Sequence, residues 1–412
     1  MAGSSSRSGN LPNGGPAQTY DGPPDYQAVG RHAVFPDTTH DEVARLNFLA
    51  HMNRHLSTRV MPFVKTAWEA RVEPALEKSG QTPRSRHDVR KALLNEPLFQ
   101  TWSALRRMTM EQRQQAGRWT SVRQAEDLAA RVRDLTEGDP RLQLDPSLPI
   151  PRYVSAVDHH CMPGSYHAEL FPGDVSVAAS YDHGIFATTG GMLGRYLDGG
   201  GQAVARWMQR THPEFQPRRI LDIGCTLGHN IVPIAQAYPE AEVIAIDVGA
   251  PMLRYGLARA KSLGVENITF IQADGSDLSR WADESFDWVQ TTMFLHELSY
   301  ASMKAIFAES HRVLRPGGFV LHVEQPQYTP DMPLFEQAMR DWDSFYNNEP
   351  FWSTLHEIDL DGWLVEGGFQ RDRLLHVGVT AVVDRELFPD AADDDSEDYG
   401  RKAAWHVIGA RK

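Results

Sequence analysis

Two cysteines in 412 residues, Cys161 and Cys225, are too few and too far apart for a disulfide framework or a cysteine-based zinc site. Long apolar runs are missing too. No stretch approaches the ~18 consecutive apolar residues that a spanning helix needs, and MAGSSSRSGNLPNGG lacks the apolar centre of a signal peptide. A cytoplasmic protein without membrane attachment is expected. Nor is there a surplus of positive charge: 41 Lys+Arg stand against 54 Asp+Glu, a formal −13, whereas nucleic-acid and anionic-membrane binders lean on Lys/Arg fields. At roughly 100–200 residues per domain the length allows two or three domains.

Residues 1–36 are rich in Ser, Gly and Pro with almost no aliphatics, the composition of a disordered tail. Thr39 followed by Glu42 matches a capping box. Val43, Leu46 and Leu49, then Val60, Phe63, Val64 and Ala67, recur at helical spacing, which predicts two helices over about 40–77, divided near Pro62. Beyond the Gly80–Pro83 break come a stripe at Leu98, Trp102 and Leu105 and a segment opening at Ser121 with Gln124 three residues on. An α-helical accessory domain over 37–139 is expected. Residues 41–139 hold 17 Lys/Arg and 13 Asp/Glu, so this unit is +4 while the rest carries −17. A solvated helical surface accounts for that balance, and a nucleic-acid platform is the alternative.

A proline-spaced linker and a lid segment fill 140–180. From about 218 short β-branched runs alternate with amphipathic stretches, the texture of βα units and a parallel sheet. Strands are predicted at 218–224, 242–247, 268–273, 286–293 and 318–324, with antiparallel strands at 372–380 and 404–410. Helices lie between them: Leu253, Leu257 and Ala260 before Gly264, and Met303, Ile306, Phe307, Val313 and Leu314 before Pro316-Gly317-Gly318. The run Asp384 to Asp398, eight acidic residues and one Arg, reads as a solvated loop in the final hairpin of a 181–412 domain.

In RILDIGCTLG an apolar strand runs into a glycine turn and then a helix. Glycine lets backbone approach a ligand without a Cβ, and free N–H groups at the helix start favour a polar group. The next strand ends in Asp247, where an α/β sheet grips a ribose by its hydroxyls, and a third ends before Asp274, which can accept from an adenine amino group. Three such features at successive strand ends line one crevice.

The stretches ILDIGCTLG, AIDVGAPMLRYGLARAK, FIQADGSDL, WADESFDWVQTTMFLHEL and RVLRPGGFVLHVE resemble, in order and spacing, the class I S-adenosylmethionine-dependent methyltransferases, in particular the ubiquinone/menaquinone-biosynthesis-type branch. The resemblance covers roughly 180–330. It implies an α/β fold, a Rossmann-like doubly wound seven-stranded sheet, here with a separate N-terminal α-helical domain, and S-adenosyl-L-methionine as cofactor. By the same resemblance Asp222, Gly224 and Gly228 would shape the turn around the methionine part. Asp247 would bind the ribose, Asp274 and Gly275 would face the adenine, and Met252 and Tyr181 would touch the cofactor. Thr226 stands where the family has glycine. A β-branched residue fits there with negative φ, narrowing the space beside the cofactor.

His296, in FLHEL directly after the fourth strand, stands at the crevice mouth and titrates near neutrality, as a proton acceptor for a phenol or carboxylic acid needs. The segment also resembles the His-Asp-Trp stretch of plant-type O-methyltransferases, which makes His296 the candidate base and Glu297 its orienter. A structural histidine is the rival reading. Asp158, His159, His160, Cys161, His167 and Glu169 put six potential metal ligands within twelve residues. Their spacing matches no metal site, and Pro163-Gly164 implies a turn instead of an aligning helix. They are read as a lid or substrate wall, and no metal is expected. Trp342, Phe345, Tyr346, Phe351 and Trp352, clustered after the fifth strand, either roof an apolar or aromatic acceptor pocket or pack on the N-terminal helices.

The reading is a methyltransferase acting on a small hydrophobic or aromatic metabolite, on oxygen before nitrogen or carbon, with no nucleic-acid or membrane partner. The helical unit would cap the acceptor pocket, mediate homodimerisation, or both. The alternatives are a tRNA or protein methyltransferase docking through the +4 unit, and a non-methylating protein with the same cofactor-binding fold.

Overall fold

The computed structural model describes residues 22–389 and 404–412. Its centre is one sheet of eight strands: β1 (Leu142–Gln143), β2 (Arg219–Ile223), β3 (Glu242–Asp247), β4 (Ile268–Gln272), β5 (Phe286–Thr292), β6 (Leu314–Val323), β7 (Leu374–Thr380) and β8 (Ala404–Arg411). They lie in the order β1-β4-β3-β2-β5-β6-β8-β7. All pairings are parallel except those of β8 with β6 and β7. The seven expected strands are all present. β6 begins at Leu314 instead of 318, with a register shift between Phe286 and Trp288 taking up the extra residues. The additional strand, β1, comes from the linker and pairs with β4.

β3 shows why the sheet is covered on both sides. Val243 and Ala245 enter one core with Ile231, Leu257 and Phe270, while Ile244 and Ile246 enter another with Val289, Ile306 and Val320. Strands buried on both faces need apolar residues at every position, unlike half-solvated ones. Chain order reverses between β2 and β5, so the carboxyl ends of β2, β3, β4 and β5 open on the switch-point crevice of a doubly wound sheet.

In the N-terminal part several expectations change. Residues 22–36 are packed: Tyr26 and Val34 are fully buried and Val29 and Phe35 nearly so, because Tyr26, Val29 and Phe35 enter a core with Leu46 and Phe186 and Val34 enters another with Leu128 and Ala178. Residues 1–21 of the expected tail lie outside the described residues, as do 390–398 of the acidic run. The Thr39–Glu42 capping box forms. The helical run from His40 to Lys78 is not divided at Pro62; widened π-helical turns at Leu56–Val60 and Trp68–Val72 precede Pro62 and Pro74 and absorb the missing N–H of each. The Pro97–Val122 helix continues through Ser121, and the next starts at Ala125.

These helices pack on the sheet-bearing part at several places. Leu128 and Val132 share a core with Ala178, Leu227 and Tyr255, and Val89, Phe99 and Trp102 share another with Phe335 and Trp342. No helix among the described residues is long and apolar enough to cross a membrane.

Candidate functional site

The turn after β2 is tied to β3, since Gly224 N and Cys225 N both donate to Ile246 O, at 2.9 and 3.0 Å. Gly224 (φ 73°) and Gly228 (φ 82°) take left-handed conformations that suit glycine. A Cβ at 224 would overlap the Phe294 ring. Thr226 corrects an expectation, for its φ is +47°, an unfavourable region for a β-branched residue. Its neighbours hold it there: the Thr226 amide donates to Asp247 Oδ2 at 2.9 Å, and Thr226 Oγ1 donates to the Cys225 carbonyl at 2.8 Å.

Asp247 Oδ1 also accepts from Gly249 N, at 2.8 Å. Burial pushes its carboxyl up to about 6 against the lowering effect of the Gly249 and Thr226 hydrogen bonds. Burial and the Asp247 charge raise Asp222. Asp274 Oδ1 accepts from the amide and hydroxyl of Ser276, both at 2.8 Å. Gly224, Thr226, Asp274 and Tyr181 are partly exposed at this edge, whereas Asp222, Gly228 and Gly275 are buried beneath it. Met252 has no exposed surface and packs with Leu227, Tyr166 and Tyr255, so it supports the turn from within instead of presenting a face to a ligand. Tyr181 stacks on His229, next to Gly228, with 5.9 Å between rings, and meets Tyr166 edge-on at 5.7 Å. A left-handed glycine turn flanked by strand-end carboxylates that can accept from a diol and an amino group fits S-adenosylmethionine.

Two residues past Phe294 stands His296, 2% exposed. Its Nδ1 donates to Glu324 Oε1 at 2.7 Å, and its backbone N–H to Glu324 Oε2 at 3.3 Å. Burial alone would lower the imidazole; the charge and hydrogen bond of Glu324 outweigh it and lift His296 to about 9. The orienting carboxylate is thus Glu324, not the expected Glu297. Glu324 closes the RVLRPGGFVLHVE stretch just past β6, and the strand-end argument used for Asp247 would have found it.

Glu297 turns toward the segment that carries His160 and Tyr166. Its Oε1 accepts from Tyr166 OH at 2.7 Å and pairs with His160 Nε2 at 3.1 Å. His160 Nδ1 contacts Glu349, which is fully buried. Burial opposes both charges, but the hydrogen bond from His160 holds Glu297 well below the usual carboxylate range, while Glu349 and Glu297 lift His160. His160 (φ 53°), Cys161 (φ 58°) and Met293 (φ 52°) are all left-handed, and such non-glycine strain concentrates where surrounding contacts over-determine the backbone.

The six-residue His/Asp/Glu/Cys cluster is dispersed. Asp158 accepts from Gly164 N to close the Pro163-Gly164 turn, Glu169 pairs with Arg254 at 2.6 Å, and Cys161 Sγ lies 3.8 Å from Asn347 Oδ1. The aromatic cluster divides. Trp342 donates to Ser103 at 2.8 Å and meets Trp102, and Phe345 lies under Arg90, so both face the N-terminal helices. Trp352 instead meets the His296 ring edge-on at 4.8 Å, and the stacked pair Tyr328–His356 (4.0 Å) lies beside it.

Residues 220–318 match the family model described as a methyltransferase domain. An uncharacterized methyltransferase of Synechocystis is 30% identical over 37% of this chain and 66% of its own length. A fatty-acid O-methyltransferase of Mycolicibacterium smegmatis is 30% identical over 31% and 44%. A demethylmenaquinone methyltransferase of Thermus thermophilus is 33% identical over 33% and 60%. The chain thus spans less than two thirds of the length of these curated relatives.

Proposed function

We propose, for a chain whose residues 220–318 form a class I S-adenosylmethionine-dependent methyltransferase domain, that it transfers a methyl group to an oxygen of a small hydrophobic or aromatic metabolite. The observation that carries this reading is the buried His296–Glu324 pair beside the glycine turn, bordered by Trp352. When bound, the cofactor supplies an electrophilic sulfonium methyl that needs little activation. Asp247 would hold the ribose hydroxyls and Asp274 the adenine amino group.

Glu324 keeps the His296 proton on Nδ1 and stabilises the imidazolium formed when Nε2 takes a second proton. An imidazole lifted to about 9 lies close to the ~10 of a phenol, so proton transfer between them is nearly balanced. The relatives named for a fatty acid and a quinone precursor support a small apolar acceptor.

The test is S-adenosylhomocysteine formation, followed by mass spectrometry, with a panel of phenols, carboxylic acids and amines. His296→Ala should leave cofactor affinity intact and lower turnover roughly 10²–10⁴-fold. For a phenol, kcat/KM of chelator-treated enzyme should climb about tenfold per pH unit as the imidazolium loses its proton, and level off above about 9. A carboxylic acid, already ionised, would show no such climb. Turnover of amines alone would refute the oxygen reading, and a near-normal His296→Ala enzyme with a phenol would return the histidine to a structural role.

A further inference from the structure

Beside the His296–Glu324 pair, and separate from it, His159, Glu297 and Glu349 converge from the lid, the turn after β5 and the insertion after β6. One ligand-capable atom of each lies within 4.8 Å of the others. His159 and Glu349 have no exposed surface. His159 Nε2 donates to the Tyr153 carbonyl at 2.8 Å, which fixes the tautomer with a lone pair on Nδ1, and Nδ1 has no hydrogen-bond partner. Glu349 has His160 Nδ1 as its one charged partner among the described residues, the contact that helps lift His160. An imidazole clamped by a backbone carbonyl through one nitrogen, with the other free, has the arrangement of a metal-binding histidine and its outer-shell partner. Two buried carboxylates share the single His160 cation, so the cluster keeps a net negative charge that burial makes costly.

We propose that His159, Glu297 and Glu349 form a site for one divalent transition-metal ion of the Zn²⁺ or Mn²⁺ kind. One imidazole and two carboxylates supply a donor set of mixed nitrogen and oxygen with a charge that a dication balances. Mg²⁺ and Ca²⁺ favour oxygen donors throughout and match it less well. The contacts of His160 with both carboxylates give way to the ion, which then pins the lid segment to the turn after β5 and to the insertion. The site does not depend on which acceptor is methylated.

Full-length protein stripped with a chelator and titrated with Co²⁺ should develop the visible ligand-field bands of nitrogen and oxygen coordination at one equivalent, and added Zn²⁺ should abolish them. Glu349→Gln and His159→Asn, each verified as folded by circular dichroism, should weaken Co²⁺ and Zn²⁺ binding at least tenfold. Absence of the bands in the wild-type protein overturns the proposal whatever the variants do. Equal affinity in wild type and Glu349→Gln also overturns it, since the ion would then sit elsewhere.

Discussion

Asp247 does two things at once: its oxygens accept from the amides of Thr226 and Gly249, and its position would let it accept from a diol. Asp247→Asn should therefore weaken S-adenosylhomocysteine binding by about 1.5–3 kcal/mol, measured by calorimetry, through loss of charge-assisted hydrogen bonds. With the wild-type carboxyl raised to about 6, affinity should hold above that pH and fall as pH drops through it, because protonation removes an acceptor. Affinity that is flat from pH 5 to 8 would contradict the ribose assignment. The residue types of this turn were legible in the sequence; the backbone of Thr226 was not. Propensity argued for negative φ, but the amide bond to Asp247, a contact across 21 positions, prevails over it. Glu349 gave no signal either, because nothing local to it marks it as a partner of His160 or His159.

Among the elements, strands were read well since β-branched runs covered on both faces leave a local imprint. The helix ends at Pro62 and Ser121 were misread, because packing carries helices through residues that would terminate them in isolation. The crossing of the Pro97–Val122 and Ser176–Gly184 helices had no imprint at all. Gly117 permits it: a Cβ there would come within 2.9 Å of Ser180 Oγ and 3.1 Å of the Ser180 carbonyl. His183 Nε2 donates to the Gly117 carbonyl at 3.1 Å while Nδ1 accepts from Tyr26 OH at 3.2 Å, and burial keeps this imidazole neutral by lowering it to about 4. Gly117→Val should force the helices apart at a cost of about 1–3 kcal/mol, visible as a lower Tm. An unchanged melting curve would mean that the crossing is soft.

For the molecule as a whole, the stretch from residue 22 to 36 joins parts that the sequence suggested were independent. Asp182 accepts from His32 Nε2, His229 Nε2 and Tyr255 OH at 2.8, 2.7 and 2.8 Å, and despite its burial these donors keep it ionised. The N-terminal stretch, the turn beside Gly228 and the Ala250–Ser262 helix thus meet on one carboxylate. A chain starting at residue 37, compared with one starting at residue 22, should melt at a markedly lower temperature, since each buried apolar side chain contributes about 1.5–3 kcal/mol. It should also bind S-adenosylhomocysteine more weakly, as Asp182, the partner of His229, loses the His32 donor that helps hold it. Equal melting temperatures would show that the stretch is only draped on the surface.

The pairing of Leu142–Gln143 with β4 bears on how copies of this chain behave at high concentration. Without it, Ile268–Gln272 would offer a bare row of amides and carbonyls on which a neighbouring molecule could stack its own backbone. A cover only two residues long, set between Pro140 and Pro146, occupies the middle of that row at Phe270 and Ile271 yet is too short and too proline-flanked to template another. The connector thereby blunts this edge of the sheet against pairing with another chain.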